Sequence, residues 1–254
     1  MLKVVKIISE WKKVRSSKVF SGKSVGFVPT MGALHAGHVS LFKKSLHEND
    51  LTVASIFVNP TQFNNPNDLK NYPVTFKNDL NILNELRVDY LLLPDHKEIY
   101  NDNYTYKIIE TDYSKLLCGK FRPGHFDGVL TVVMKLLNLV KPDKAYFGEK
   151  DYQQLQLIKG MIKSFFMDIK IVSVPTIREK DGLAFSSRNL RLTKDERTTA
   201  SLFPKILSSN LSVAEIKRKL ISNGFKVEYI EQVGQRKLAA VYLGKVRLID
   251  NVKA

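Results

Sequence analysis

The chain has a single cysteine among its 254 residues, Cys118, so an intramolecular disulfide is excluded. A lone thiol is typical of proteins kept in a reducing compartment, and we expect a cytoplasmic location. The longest apolar run, residues 129–140, is interrupted by Lys135 and Asn138 and is too short to span a bilayer. Lysines spread through the first residues leave no apolar core for an export signal. We therefore expect no membrane partner.

The chain also lacks a long basic run, although its formal net charge is +15. Residues 1–175 carry a net charge of +7 and residues 176–254 carry +8, so the positive excess is denser in the last third. A nucleic-acid partner, an anionic small substrate or a generally basic proteome would each explain this excess. Because the lysines are scattered and no basic ribbon with interleaved aromatic residues is present, we expect a small-molecule substrate and no nucleic acid.

Internal repeats and low-complexity linkers are absent as well. Short apolar runs instead alternate with stretches of helical periodicity, a pattern typical of βαβ units around a parallel sheet. The predicted strands are 24–30, 51–59, 89–95, 144–148 and 169–176. The apolar residues at helical spacing between them are Val39, Phe42 and Leu46, then Leu80, Leu83 and Leu86, then Val132, Leu136 and Leu139.

The pattern changes after Pro175, where helical signals come first and strand signals follow. Two pairs of residues have the spacing of a capping box, and an Asn-Gly pair then predicts a helix end. These are Thr193 with Glu196, Ser212 with Glu215, and Asn223 with Gly224. Strand-like runs follow at 226–233, 237–243 and 245–250. We predict two domains, residues 1–175 and a smaller α+β domain of residues 176–254.

Uncommon polar clusters follow most of the predicted strands. The first strand leads into "PTMGALHAGH", the second into "NPTQFNN", the fourth into "FGEKDYQQ" and the fifth into "PTIREKDGLAFSSRN". Ligands of open parallel sheets bind outside the carboxyl ends of the strands. The clusters are therefore predicted to line one shared crevice.

Two histidines, His35 and His38, lie three residues apart directly after the first strand. Gly32 permits a tight turn there, and Gly37 permits close approach of a ligand. At the positive end of the following helix, imidazole N–H groups on one side of the first turn would bind phosphate oxygens. Two other interpretations stay open: the histidines cap the helix or fill a polar corner, or they bind a metal, for which this spacing is a weak signal.

Two charged clusters suit a nucleotide. A lysine at a strand end can meet phosphate, with acidic neighbours near ribose hydroxyls or a metal, and a pair of hydroxyls with a guanidinium makes a phosphate clamp. The residues are Glu149, Lys150 and Asp151 in "FGEKD", and Ser186, Ser187 and Arg188 in "FSSRN". Taken singly, each cluster also fits an ordinary helix start or polar turn. Only their joint placement favours a site.

Two glutamines, Gln62 and Gln154, follow the second and fourth strands. Their uncharged amides would suit the hydroxyls or carboxylate of a small polar substrate. Glutamines are also common as plain surface residues. The interpretation as substrate-binding residues therefore depends on the position of both glutamines at strand ends.

Six blocks together resemble one family. "VPTMGALHAGH", "FVNPTQF", "FRPGHFDGV", "KAYFGEKDYQQL", "REKDGLAFSSRN" and the terminal "RLIDN" occur in the order and spacing of pantothenate synthetases, the pantoate–β-alanine ligases. The resemblance extends from about residue 23 to residue 251. An isolated HxGH would indicate only the wider nucleotidyltransferase superfamily, which includes class I aminoacyl-tRNA synthetases.

The resemblance implies a Rossmann-like parallel sheet flanked by helices, with a smaller C-terminal α+β lid. It also implies a two-step reaction. The carboxylate of (R)-pantoate attacks the α-phosphorus of ATP, giving pantoyl adenylate and pyrophosphate with Mg²⁺ on the phosphates. β-Alanine then attacks the acyl carbon and releases pantothenate and AMP. Members are usually homodimers, and no tightly bound prosthetic group is expected.

The resemblance also implies roles for individual residues. His38 matches the catalytic histidine, His35 its phosphate-binding companion, and Gln62 and Gln154 the pantoate-binding glutamines. Lys150, Ser186, Ser187 and Arg188 match the groups that hold the phosphates. The full set implied for ATP is Met31, Gly32, Ala33, Leu34, His35, Ala36, Gly37, His38, Gly148, Glu149, Lys150, Asp151, Ile177, Phe185, Ser186, Ser187 and Arg188.

The match has weaker points. Arg122 in "FRPGHFDG" is a lesser candidate on the substrate side, and the resemblance assigns no protein ligand to the metal. Phe185 stands where the family commonly has methionine, and Val74 stands where many relatives have arginine. The C-terminal sheet is also expected to be shorter than in many relatives.

Overall fold

The computed structural model describes residues 1–253, which divide into two compact units. The first unit comprises Met1–Gly148 and Gln153–Val174. The second comprises Glu149–Tyr152 and the chain from Pro175 onward. Within residues 1–253, no helix combines the length and the apolar character needed to cross a membrane.

A six-stranded sheet forms the centre of the first unit, and every neighbouring pair of strands in it is parallel. Its strands are β1 (Lys3–Val5), β2 (Val25–Thr30), β3 (Leu51–Ile56), β4 (Tyr90–Leu92), β5 (Lys144–Gly148) and β6 (Lys170–Val174). They lie in the order β1-β4-β3-β2-β5-β6. The predicted parallel α/β sheet is confirmed.

Helices connect these strands, as parallel pairing requires. They are α1 (Ile8–Arg15), α2 (Ala36–Glu48), α3 (Pro66–Lys70), α4 (Phe76–Glu85), α5 (His96–Ile99), α6 (Leu117–Phe121), α7 (His125–Val140) and α8 (Tyr152–Ser164). Helix α7 is the most apolar of them in sequence and is buried along most of its length.

The register of the central strands determines which loops are neighbours. Residue Thr30 at the end of β2 pairs with Ile56 at the end of β3. Both strands are buried, which is typical of central strands covered on both faces. The loop after β2 and the loop after β3 therefore leave the sheet side by side.

Several strand boundaries differ from the predictions: β4 ends at Leu92 rather than residue 95, and β9 continues to Lys253 rather than residue 250. Strand β3 ends at Ile56 rather than residue 59, because Pro60–Gln62 already forms a 3₁₀ turn. The three-residue edge strand β1 was not predicted, since its lysine-rich surroundings hide the pattern. These three residues form a strand through their parallel pairing with β4.

The second unit contains a three-stranded antiparallel sheet and three helices. The strands are β7 (Lys226–Val233), β8 (Arg236–Leu243) and β9 (Val246–Lys253), and the helices are α9 (Lys194–Ala200), α10 (Leu202–Leu207) and α11 (Val213–Ser222). Helices α9 and α11 begin with the two predicted capping boxes, both of which are confirmed. Gly224, with a φ of +84°, follows the end of α11 as predicted.

Candidate active site

The loop between β2 and α2 makes a sharp turn with two consecutive left-handed residues. Gly32 has a φ of +80° and Ala33 a φ of +49°. The conformation is unfavourable for alanine, so other contacts must hold it. The carboxylate of Asp79 in α4 supplies them, accepting the N–H of Ala33 at 3.0 Å and that of Leu34 at 2.8 Å. Asp79 is 1% exposed and also accepts the hydroxyl of Thr75 at 3.0 Å.

The two histidines form a capping box at the start of α2. The Nδ1 atom of His35 accepts the N–H of Gly37 at 3.2 Å, and the Nδ1 atom of His38 accepts the N–H of His35 at 3.3 Å. Their ring centroids are 4.1 Å apart. Because each Nδ1 accepts a hydrogen bond, the neutral rings carry their proton on Nε2. The capping interpretation is thus confirmed.

Capping and phosphate binding use opposite nitrogens of the same rings, so they are compatible. The cap sets the tautomer and places the proton of each neutral ring on Nε2, the nitrogen on the side away from the cap. The N–H of Gly37 is used by the cap, so the helix start offers fewer open N–H groups than predicted. No cluster of three or more His, Cys, Asp or Glu side chains within residues 1–253 is arranged to hold a metal ion.

The side chain of Gln62 is held from two sides in the loop after β3. Its Oε1 accepts the amide of Asn59 at 3.1 Å, and its Nε2 donates to the sulfur of Met31 at 3.1 Å. Asn59 is itself fixed by the hydroxyl of Tyr100 at 2.8 Å, and burial raises the pKa of Tyr100 to about 12. A thioether is a weak acceptor, so the Nε2–H groups of Gln62 are available to a carboxylate or hydroxyl.

Two residues of the "FRPGHFDG" block hold the main chain of the same loop. The Nδ1 atom of His125 lies 2.8 Å from the carbonyl of Gln62, and its Nε2 atom lies 3.0 Å from the guanidinium of Arg122. A carbonyl only accepts and a guanidinium only donates, so His125 is the neutral Nδ1–H tautomer. Arg122 also donates to the Gln62 carbonyl at 3.2 Å. Arg122 therefore contacts the main chain of the loop after β3, which we call the glutamine loop because it carries Gln62.

Gly128 in α7 allows the loop after β3 to lie directly against that helix. A Cβ atom at this position would come within 2.5 Å of the Thr61 carbonyl oxygen and 2.7 Å of the Gln62 nitrogen. We expect Gly128→Ala to displace the glutamine loop, raising KM for the acid substrate at least tenfold. Overpacking of this kind costs about 1–3 kcal/mol of unfolding free energy.

Gly160→Ala in α8 is the matched control for this change, since nothing lies within 4 Å of its added Cβ. Replacing a helical glycine there should stabilise the protein by about 1 kcal/mol and leave KM unchanged. Urea unfolding and initial rates on both variants make the comparison. An unaltered KM in Gly128→Ala would show that the loop does not set substrate affinity.

The adjacent glutamines of "YQQL" have different environments. Gln153 is 3% exposed and satisfies three main-chain groups, the N–H of Cys118 and the carbonyls of Tyr113 and Leu116. Gln154 is half-buried, and its side chain makes no hydrogen bond to another residue in the range 1–253. The first glutamine is therefore structural and the second is available to a ligand.

A cavity of about 490 Å³ in the first unit adjoins the turn at Met31–Ala33. Its wall includes Val74, whose side chain is 78% exposed, together with Lys6 and His96. Val74 therefore places a neutral side chain in this wall, at the position where many relatives have arginine.

In the second unit, Glu149–Asp151 forms a 3₁₀ turn. The ammonium of Lys150 lies 3.6 Å from the Asp151 carboxylate, and its side chain is 18% exposed. Main-chain carbonyls of this turn accept hydrogen bonds from Asn251 in β9. The backbone of Lys150 is thus fixed by Asn251, while its ammonium has the Asp151 carboxylate as its ionic neighbour.

The "SSRN" segment is also fixed by its own unit. The hydroxyl of Ser186 accepts the N–H of Arg188 at 3.2 Å and caps a 3₁₀ turn over Ser187–Arg191. Asn189 donates to Glu179 at 2.9 Å and to the Ala184 carbonyl at 3.0 Å.

The hairpin that precedes "SSRN" is closed by main-chain and ionic contacts. The N–H of Phe185 donates to the Ile177 carbonyl at 3.1 Å, so that carbonyl has a partner within the protein. Arg197 pairs with Glu179 and with Asp181, each at 2.6 Å, and lowers the pKa of Asp181. The hydroxyls and guanidinium of residues 186–188 therefore lie on a loop that these hydrogen bonds and ion pairs hold in place.

The family model for Pantoate-beta-alanine ligase matches residues 3–253. The chain belongs to the pantoate-beta-alanine ligase family. It is an ATP-dependent ligase that joins pantoate to β-alanine in pantothenate biosynthesis.

Curated and solved relatives agree with this membership. The chain is 55% identical to the pantothenate synthetase of Bdellovibrio bacteriovorus over 253 residues, covering 100% of both chains. It is 56% identical to that of Legionella pneumophila over 244 residues, covering 96% of both. A crystal structure of the Francisella tularensis pantoate-beta-alanine ligase, complexed with beta-gamma ATP and β-alanine, matches with a TM-score of 0.96 and 46% identity, covering 100% of this chain and 98% of that one.

Several residues that hold the candidate loops of each unit in place were not among the predicted site residues. Asn59, His125 and Asn251 lie inside the sequence blocks that resemble the family, but the resemblance implies no role for them. Asp79 lies outside every block, alone in an amphipathic helix, and Gln153 is indistinguishable in sequence from its neighbour. Their partners are distant in the chain, which sequence spacing does not reveal.

Proposed function

We propose that the ligation proceeds through a pantoyl adenylate, with AMP and pyrophosphate as co-products. The observation that carries this proposal is the histidine capping box. It commits both Nδ1 atoms to the backbone and so puts the proton of each neutral ring on Nε2, at the start of a 13-residue helix. Donors fixed in advance around a developing negative charge are the main means by which enzymes stabilise phosphoryl transition states.

In the first step, pantoate is the nucleophile. A carboxylate with a pKa near about 4 is ionised at neutral pH, so no general base is needed. One carboxylate oxygen forms a bond to the α-phosphorus of ATP while the bond to pyrophosphate breaks. Both reactants are anions, and the Nε2–H groups of His35 and His38 would offset their repulsion.

In the second step, the amine of β-alanine attacks the acyl carbon, and AMP leaves with the electron pair of the broken C–O bond. The amine must first lose its ammonium proton. The mixed anhydride hydrolyses readily, so water must be kept away from it. We assign that task to the C-terminal unit, which would act as a lid.

The proposed ligand contacts follow the residues described above. Gln62, oriented by Asn59 and Met31, and the uncommitted amide of Gln154 would bind pantoate. Lys150 and Arg188, with the hydroxyls of Ser186 and Ser187, would bind the phosphates. Asp151, 46% exposed, would meet the ribose, and the loops at 31–38, 148–151, 177 and 185–188 would surround the nucleotide.

Mg²⁺ would enter on the ATP phosphates, which supply the hard oxygen ligands that this ion prefers. This fits the observation that residues 1–253 hold no cluster of three His, Cys, Asp or Glu side chains able to bind a metal alone. The ion would neutralise phosphate charge. We also propose a homodimer in the cytoplasm, with no nucleic-acid or membrane partner.

An isotope experiment tests the adenylate. Pantoate labelled with ¹⁸O in its carboxylate is incubated with ATP, Mg²⁺, β-alanine and the protein. One ¹⁸O should appear in AMP, since the oxygen that attacks phosphorus stays on it when the amide forms. In the absence of β-alanine, pantoate should support exchange of labelled pyrophosphate into ATP.

Two results would contradict the proposal. Formation of ADP and phosphate in place of AMP and pyrophosphate would indicate an acyl phosphate. AMP release that does not depend on pantoate would indicate a different acceptor. Reactions that omit each substrate in turn are the controls.

A further inference from the structure

The last strand of the chain carries two buried polar residues in succession, Asp250 and Asn251, each 3% exposed. They belong to the "RLIDN" block, which the ligase chemistry described above does not use. Burying two polar side chains at a sheet end is unfavourable unless every polar atom has a partner. Their partners are the two loops of the second unit that carry the proposed phosphate-binding groups.

Asp250 binds the base of one loop. Its carboxylate accepts two hydrogen bonds from Arg178, at 2.7 Å and 2.9 Å, and raises the pKa of that guanidinium. Arg178 in turn donates to the carbonyl of Gly182 at 3.0 Å. This pair closes the hairpin that leads into Ser186–Arg188.

Asn251 binds the other loop. Its Nδ2 donates to two consecutive carbonyls, those of Glu149 at 2.9 Å and Lys150 at 3.0 Å. Its Oδ1 accepts the guanidinium of Arg236 at 2.6 Å. Arg236 also pairs with the Glu149 carboxylate at 2.7 Å and lies over the ring of Tyr152, 4.7 Å from its centroid. An amide is the one side-chain group of this size that donates two hydrogen bonds and accepts one here.

We propose that Asn251 is a positioning residue that sets the backbone of the Glu149–Lys150 turn and thereby places the Lys150 ammonium for the phosphates of ATP. The inference rests on the proposed role of Lys150 in ATP binding. Asn251 lies 101 residues from Lys150 in sequence and acts through the main chain, so it touches no substrate itself. Arg236 locks the orientation of the amide.

Asn251→Asp is the sharpest test because it is isosteric and keeps an acceptor for Arg236. It replaces the amide nitrogen that donates both hydrogen bonds with a carboxylate oxygen, which repels the carbonyls of Glu149 and Lys150. The loss of one well-placed charged hydrogen bond corresponds to roughly 10–100-fold in affinity. We expect a fall of this size in the affinity for Mg²⁺ with a non-hydrolysable ATP analogue, measured by calorimetry, and no change in KM for pantoate.

Glu228→Gln is the matched control. It weakens the half-buried Glu228–Arg247 pair, which joins β7 to β9. The control should lower the unfolding free energy without changing analogue affinity. If Asn251→Asp behaves in the same way, with analogue affinity within twofold of wild type, Asn251 is only structural and the inference is wrong.

Two further measurements secure the outcome. In a double-mutant cycle with Lys150→Met, the effects on analogue affinity should be non-additive, because Asn251 acts through Lys150. Additive losses would overturn the inference. If Asn251→Asp does not fold, Arg236→Met is used instead. It removes the hydrogen bond that orients the Asn251 amide and should still lower analogue affinity several-fold. Wild-type affinity in that variant would contradict the inference.

Analogue binding does not require turnover, so the test separates this inference from the proposed reaction. Failure of wild-type protein to form AMP from pantoate, β-alanine and ATP would refute the adenylate. Unchanged nucleotide binding in the variants would refute the role of Asn251.

Discussion

His38→Asn should lower kcat by about 10²–10³-fold, the usual effect of removing one fixed donor to developing charge, while the protein remains folded. The amide oxygen of asparagine lies near the position of Nδ1 and can still accept the N–H of His35. The side chain ends before the position of Nε2, so the donor proposed to meet phosphate is lost. His38→Ala should lose both the cap and the Nε2–H donor, and its kcat should be at least as low as that of His38→Asn.

His38→Gln should give the opposite result. Its amide nitrogen reaches the position of Nε2 and preserves a donor, but no group remains near Nδ1 to cap the helix. Loss of a cap costs about 0.5–2 kcal/mol, so this variant should be less stable yet retain more turnover than His38→Asn.

The measurements are kcat at saturating substrates and the urea unfolding free energy of each variant. His47→Asn in the last turn of the same helix is the control, since His47 is exposed. Equal kcat for the two His38 variants would mean that Nε2–H does not contribute, and that the histidine is a cap alone.

Asp79→Asn should lower kcat/KM for ATP roughly 10–100-fold and destabilise the protein. One amide atom can accept an N–H in place of the carboxylate, but the other is a donor and faces the second N–H of the pair at Ala33 and Leu34. A buried N–H left without a partner costs about 1–3 kcal/mol. Released from Asp79, the left-handed turn should relax and displace both histidines.

Thr75→Val is the matched control, because it removes the third hydrogen bond to the same carboxylate and leaves the turn untouched. It should cost about 1 kcal/mol of unfolding free energy and leave kcat/KM for ATP unchanged. If both variants lose stability alike and both keep wild-type kcat/KM, the turn is held without Asp79 and the assigned role is wrong.

Much of the fold could be predicted because its signals are local. The buried runs of β2 and β5 and the capping boxes of α9 and α11 depend on residues a few positions apart. Strand β1 could not be predicted, since three residues near lysines become a strand only through pairing with β4. The end of β3 was misplaced because the apolar run continues past the last paired residue.

The candidate site divides in the same way. His35, His38 and Gln62 were predicted from their motifs and positions at strand ends, and a short spacing sufficed. Asp79 and His125 could not be predicted, since one lies 46 residues from Ala33 and the other 63 residues from Gln62.

The sequence by itself determined the family, the parallel sheet and the identity of the groups proposed to meet the ligands. Periodicity, strand-end position and motif order are properties of the chain before it folds. Only the tertiary structure decided which nitrogen of each histidine remains a donor, which of two adjacent glutamines is free, and which buried residues hold the loops. Those properties depend on hydrogen-bond partners that only folding brings within about 3 Å of each other.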